Sequence, residues 1–154
     1  MSFNKDKETD NCATDKNDWE IIKDYIPNNK VIWSPFYCDG KQKGYFEEMG
    51  FDIIHEDEDF FLNNKGDVII DNPPFSKIKE ICVRLKELEK PFILIMPNHT
   101  FMYKRFQRPF QDNLQIIIPN KRIKFNKNDE KSNLPFDCYY FCYKMNLPKD
   151  LIFI

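Results

Sequence analysis

The chain has 154 residues and a formal net charge of −2, with 42% hydrophobic and 16% aromatic residues. That length suits one domain with its own core, and the charge balance excludes a protein that holds polyanions by global attraction. A local basic face stays compatible with it.

Residues 1–18 hold almost no large apolar groups, so burial cannot offset their ordering entropy. The expected division is a flexible segment over residues 1–16 and a single domain over 17–154. The first expected element is a helix over 18–26, where Trp19, Ile22 and Ile26 fall at helical spacing before Pro27. Val31, Ile32 and Trp33 read as a short strand broken by Pro35. A helix over 43–49 closes at Gly50, and a second strand over 51–54 runs into the acidic residues 56–59. The third strand, residues 67–70, is the clearest, and Asn72-Pro73-Pro74-Phe75 follows it. Ser76 is placed to cap the next helix, whose apolar face is Ile78, Ile81, Cys82, Leu85 and Leu88. A further apolar strand over 92–96 ends at Pro97. Unbroken apolar strands alternating with amphipathic helices mean a parallel sheet covered on both faces. Strand-like stretches over 114–118, 122–125 and 138–143 then predict an antiparallel closing hairpin. The fold class is α/β.

Three segments carry candidate chemistry. The two prolines of Asn72-Pro73-Pro74-Phe75 fix an extended turn directly after a buried strand, at the edge where open α/β sheets bind ligands. The Asn72 side-chain oxygen and the Pro73 carbonyl offer acceptors for both hydrogens of an amino group, and Phe75 offers a stacking face. Ser34-Pro35-Phe36-Tyr37-Cys38-Asp39-Gly40 is a tight turn whose glycine lets backbone approach a ligand closely. Glu56 and Asp57 suit the two hydroxyls of a ribose, and Asp59-Phe60 suits the edge of an adenine. No Ser/His/Asp or Cys/His arrangement is present, which fits amino-group chemistry that needs no strong base. His55 and His99 read as polar contacts beside strand ends.

The five cysteines have irregular spacing and lack a second half for a zinc site, so all are expected as reduced thiols and no metal is expected. No apolar run approaches the ~20 residues of a membrane span, and no signal peptide opens the chain. An intracellular protein, in cytoplasm or nucleus and with no membrane partner, is the expectation.

Together these motifs resemble the class I S-adenosylmethionine-dependent methyltransferases, specifically the amino-methylating kind seen in adenine-specific DNA methyltransferases. Pro35-Phe36-Tyr37-Cys38-Asp39-Gly40 is similar to the family's glycine-rich first motif, with Cys38 where the family has its first Gly. Asn72-Pro73-Pro74-Phe75 matches the fourth motif without change. The resemblance implies an abbreviated Rossmann-like methyltransferase sheet, mostly parallel with an antiparallel C-terminal hairpin. It also implies S-adenosyl-L-methionine as cofactor, held by Pro35, Phe36, Tyr37, Cys38, Asp39, Gly40, Glu56, Asp59 and Phe60. Asn72, Pro73, Pro74 and Phe75 are implied as the catalytic turn, and Ala13-Thr14 is similar to the segment at the cofactor's methionine end. Residues 56–67 are too few for the family's usual helix and strand, so a trimmed sheet is expected.

The implied reaction is methyl transfer to the exocyclic amino group of adenine, with DNA as the leading substrate and partner. Lys104, Arg105, Arg108, Lys121, Arg122 and Lys124, interleaved with Tyr103, Phe106, Phe110 and Phe125, read as a grip on a phosphate backbone. An RNA base, a protein glutamine, and an inactive module binding nucleic acid or a partner subunit stay open as alternatives. So does a homodimer.

Overall fold

The computed structural model describes residues 13–127, 130–132 and 135–154; residues 1–12 of the segment expected to be flexible lie outside the described residues. The elements, in chain order, begin with β1 (Ala13–Thr14), α1 (Lys16–Glu20), β2 (Val31–Trp33), α2 (Gln42–Glu48) and β3 (Asp52–Ile54). There follow β4 (Val68–Asp71), α3 (Ile78–Leu88), β5 (Phe92–Pro97), α4 (Lys104–Phe110) and β6 (Leu114–Ile118). The chain closes with β7 (Phe125–Lys127), β8 (Glu130–Ser132), β9 (Cys138–Tyr143) and β10 (Leu151–Phe153).

Seven strands form the main sheet in the order β10-β6-β9-β5-β4-β2-β3. β3, β2, β4 and β5 run parallel, β9 lies antiparallel between β5 and β6, and β10 runs parallel to β6. This is a Rossmann-like α/β sheet. Its strands read as continuous apolar runs because both faces are covered. Val68, Ile70, Ile93, Ile95, Tyr140 and Cys142 face one layer, where Trp19 of α1 and Phe46 of α2 pack. Ile69, Phe92, Leu94, Met96, Phe141 and Tyr143 face the other, under α3 and α4. No helix among the described residues is long and apolar enough to cross a membrane.

Several sequence expectations shift. Ala13–Thr14 pairs with β7, and α1 begins at Lys16, both within the segment expected to hang loose. The helix expected over 18–26 is α1 followed by a separate 3-10 turn, Lys23–Tyr25, with Trp19 and Ile22 still fully buried. Residues 122–125 do not join the main sheet: β9 already pairs with both β5 and β6. β7 instead forms a three-stranded sheet with β1 and β8. Ser76 does not begin the helix, because Pro74 is extended and a 3-10 turn, Phe75–Lys77, intervenes before Ile78. α4 and β10 were not anticipated. The Phe106 and Phe110 pair marks one face of α4 but is broken up by Pro109 inside the helix.

The cysteine expectation is corrected at one position. Cys82, Cys138 and Cys142 are free and sealed in the core, where burial pushes each thiol up to about 12. Cys38 is disulfide-bonded. It sits in a half-buried turn rather than inside the sheet.

Residues 55–67 link β3 to β4 without a helix or strand, as expected from their number, while β10 at the far edge brings the main sheet to seven strands. Cations from elsewhere satisfy the backbone of this bare connection. Arg84 of α3 donates to the carbonyls of Phe60 (3.4 Å) and Asn63 (2.9 Å). Lys90 Nζ donates to those of Lys65 (2.7 Å) and Gly66 (2.8 Å). Gly66 has φ +66, and a Cβ there would stand 3.0 Å from both the Val31 carbonyl oxygen and Trp33 Cβ. Charge-assisted hydrogen bonds of this kind contribute about 1.5–3 kcal/mol. Arg84→Ala should therefore lower unfolding free energy in urea by about that amount. A change within experimental error would show that the connection holds without it.

Candidate active site

The order β3-β2-β4-β5 contains a reversal. From β2 the chain crosses to β3 on one side, then returns to place β4 on the other side of β2. In open α/β sheets the crevice at such a switch point, beyond the carboxyl ends of the strands, is where ligands bind. Residues 34–40 leave β2 there, and residues 72–75 leave its direct neighbour β4. His55 and Glu56 leave β3, the next strand over. Segments far apart in sequence thus meet at one edge.

A buried carboxylate joins them. Asp71, fully buried at the end of β4, accepts the Phe36 amide on Oδ2 (2.7 Å) and the Asn72 amide on Oδ1 (2.8 Å). Gln42 Nε2 donates to the same Oδ1 (3.0 Å) and to the Ser34 hydroxyl (2.5 Å). His55 Nδ1 lies 2.8 Å from the Ser34 carbonyl, which can only accept, so the proton sits on Nδ1. Burial pushes the Asp71 carboxyl up from its ordinary 3.8 to about 6. The nearby His55 ring and the Phe36, Ser34 and Asn72 donors pull the other way without prevailing.

The first turn has two residues in the left-handed region: Cys38 has φ +54, and Gly40 has φ +76. A Cβ on Gly40 would come within 2.5 Å of the Tyr37 hydroxyl and 2.7 Å of its ring. Tyr37 thus lies back across the turn, and its ring stacks on His55 at 4.9 Å. Pro35 and Phe36 are buried, and the exposed Asp39 accepts the Lys41 amide on Oδ1 (3.1 Å).

The acidic segment divides in two. Glu56 and Asp57 are exposed, and Glu56 lies 3.7 Å from Lys65. Asp59 turns its Oδ1 onto the Phe61 amide (2.8 Å). The Phe60 ring is fully buried, 5.6 Å from Trp33 and 5.0 Å from Phe36. Its side chain ties the acidic connection to the first turn.

In the second turn Asn72 is 1% exposed, and its Nδ2 has no hydrogen-bond partner among the described residues. Pro73 and Pro74 are buried, while Phe75 is half-buried with its ring against Phe125 (5.5 Å) and Phe136 (5.8 Å). Thr14 pairs with Phe125 across β1 and β7, which brings the N-terminal strand beside Phe75. Thr14 Oγ1 and His55 Nε2 are also buried without a partner. Leaving a buried polar atom unpaired costs about 1–3 kcal/mol, so such atoms mark places a polar ligand would satisfy.

The six predicted basic residues are all exposed, but they do not form one patch. Lys104, Arg105 and Arg108 lie on α4, and Arg105 borders a concavity shared with Lys77 and Glu80. Lys121, Arg122 and Lys124 line another concavity together with Asp15 and Asp18. Arg122 is also bound to Asp137 (2.9 Å) and to the Phe136 carbonyl (2.9 Å). Sequence reasoning missed Asp71, Gln42 and Phe136. The signal for Asp71 was an acid at the end of an otherwise apolar strand.

Fold and site together define a Rossmann-like α/β protein with two turns meeting at the switch point. No family model matches the chain, and no curated protein matches it. Among solved structures it is similar to TrmN from Thermus thermophilus, with a TM-score of 0.39 and 9% identity over 84% of this chain. The chain spans about half of that relative, 48% of its length.

Asp71 sets a pH dependence. Its folded-state value lies above the ordinary 3.8, so the folded protein holds the Asp71 proton more firmly than the unfolded chain. The resulting stabilisation is present below about pH 4 and is lost as pH rises through about 6. Two pKa units correspond to roughly 3 kcal/mol. Urea unfolding at pH 4 and pH 7 should show that difference shrinking in Asp71→Asn. An unchanged difference would assign the titration to another group.

Proposed function

We propose that the chain is an S-adenosyl-L-methionine-dependent methyltransferase acting on the exocyclic amino group of adenine, in DNA before RNA. The observation that carries this reading is the Asn72-Pro73-Pro74-Phe75 turn at the switch point, tied through Asp71 to the 34–40 turn. Support for a polar cofactor at this edge comes from Thr14 and His55, each of which holds a buried polar atom without a partner among the described residues. In this reading Pro35, Phe36, Tyr37, Cys38, Asp39 and Gly40 hold the cofactor, and the exposed Glu56 and Asp57 meet its ribose. Asp59 and Phe60 shape the adenine end. Tyr37 is a flexible side chain and would move off Gly40 to admit the ligand.

The bound cofactor supplies an electrophilic methyl group. The protein's part is to make a poor nucleophile attack it. The Asn72 side-chain oxygen and the Pro73 carbonyl accept the two amino hydrogens, which favours the more tetrahedral, cationic nitrogen of the transition state. Asn72 Nδ2 is then free to donate to the neighbouring ring nitrogen. With the cofactor bound, its methyl group would pass to the amino nitrogen, and the surplus proton would then leave that cationic nitrogen to water. No strong base is called for. Phe75 stacks on a base that has left its own stack.

Incubation with methyl-labelled cofactor and DNA, RNA or protein in separate arms tests the assignment. Label is expected in adenine of DNA; label confined to protein would overturn the nucleic-acid reading. Asn72→Ala should lower turnover by at least about a hundredfold, the scale of losing one transition-state hydrogen bond, with cofactor affinity nearly unchanged. Full activity in that variant would remove Asn72 from the mechanism. A second reading, an inactive module that binds nucleic acid, is favoured by Tyr37 lying across the first turn and by the disulfide at Cys38. Oligonucleotide binding with no label in any arm under reducing conditions would select it.

A further inference from the structure

Phe75 is one member of a row of rings. Its centroid lies 5.8 Å from Phe136, which lies 5.1 Å from His99, which in turn lies 5.9 Å from Tyr103. All three contacts are edge-to-face, at 65°, 85° and 76°. The row begins at the second turn and ends where α4 starts. Phe75, Phe136 and Tyr103 are half-buried, and His99 is exposed. The neighbouring Met102 is 76% exposed. These rings are not the sealed core beneath them.

Cations accompany the row. Lys79 Nζ stands 5.1 Å from the Tyr103 ring centroid, and exposed Lys104, Arg105 and Arg108 follow directly on α4. Half-open rings beside flexible cations are what a single strand needs: faces for its bases and charges for its phosphates. A duplex keeps its base faces stacked and cannot use the rings.

We propose that Phe136, His99 and Tyr103 continue from Phe75, which meets the target base, as a track for single-stranded nucleic acid, on which bases flanking the target stack while Lys79 and Lys104 meet phosphates. The proposal rests on the reading that the second turn receives a nucleic-acid base, and it narrows the substrate to single strands.

Fluorescence anisotropy of the full chain, without cofactor, tests it with a labelled adenine-containing DNA 12-mer and the same sequence as duplex. The single strand should bind at least about tenfold more tightly, and His99→Ala or Tyr103→Ala should weaken it roughly five- to a hundredfold. His99→Phe, which keeps a ring, should restore binding. Lys79→Ala should flatten the salt dependence by about one unit of slope. Duplex binding as tight as single-strand binding, or wild-type affinity in both alanine variants, would overturn the track. His99 is exposed, so its alanine variant should fold, and circular dichroism checks that. Ring-dependent single-strand binding without any methyl incorporation would sink the enzymatic reading and leave the track standing.

Discussion

Asp71 leaves the sheet at the end of β4, and its two oxygens hold the amide of Phe36 on one side and the amides of Gln42 and Asn72 on the other. Every other feature of the site depends on that tie. Two turns separated by more than thirty residues need a common anchor to keep their backbones in register, and hydrophobic packing alone has no direction. A fully buried carboxylate supplies direction because it must collect donors to stay in the core. The desolvation that raises its pKa is the cost of using a charge for this purpose.

Around this anchor, the fold economises elsewhere. The connection from β3 to β4 carries no helix or strand, and Arg84 and Lys90 serve its carbonyls instead. Phe60 drops from that connection between Trp33 and Phe36, so the acidic segment is pinned to the first turn by an aromatic contact. On the far side, β7 carries Phe125 against Phe75, which supports the second turn from below the ring row.

The parallel half of the sheet was legible in the sequence because strands covered on both faces read as unbroken apolar runs. β2, β3, β4 and β5 were all found within a residue or two of their ends. The second turn was equally plain, since two prolines after a buried strand leave the backbone few choices. β10 was not legible as a strand, and the strand read over 122–125 was assigned to the closing hairpin because no local pattern announces the pairing of β7 with β1 and β8. Asp71 was hidden for a related reason. Its donors come from Phe36 and Gln42, and only the topology that sets β2 beside β4 brings them near. Cys38 shows the converse, a residue with a Cβ that nonetheless takes the positive φ that glycine adopts most readily.

The account turns on whether the crevice held together by Asp71 accepts S-adenosylmethionine. Isothermal titration calorimetry of the reduced full chain against that cofactor measures this directly. It should give saturable one-to-one binding in the wild type, weakened at least about tenfold, or 1.4 kcal/mol, in Asp71→Ala. No heat at millimolar cofactor, or equal affinity in a folded Asp71→Ala protein, would contradict it.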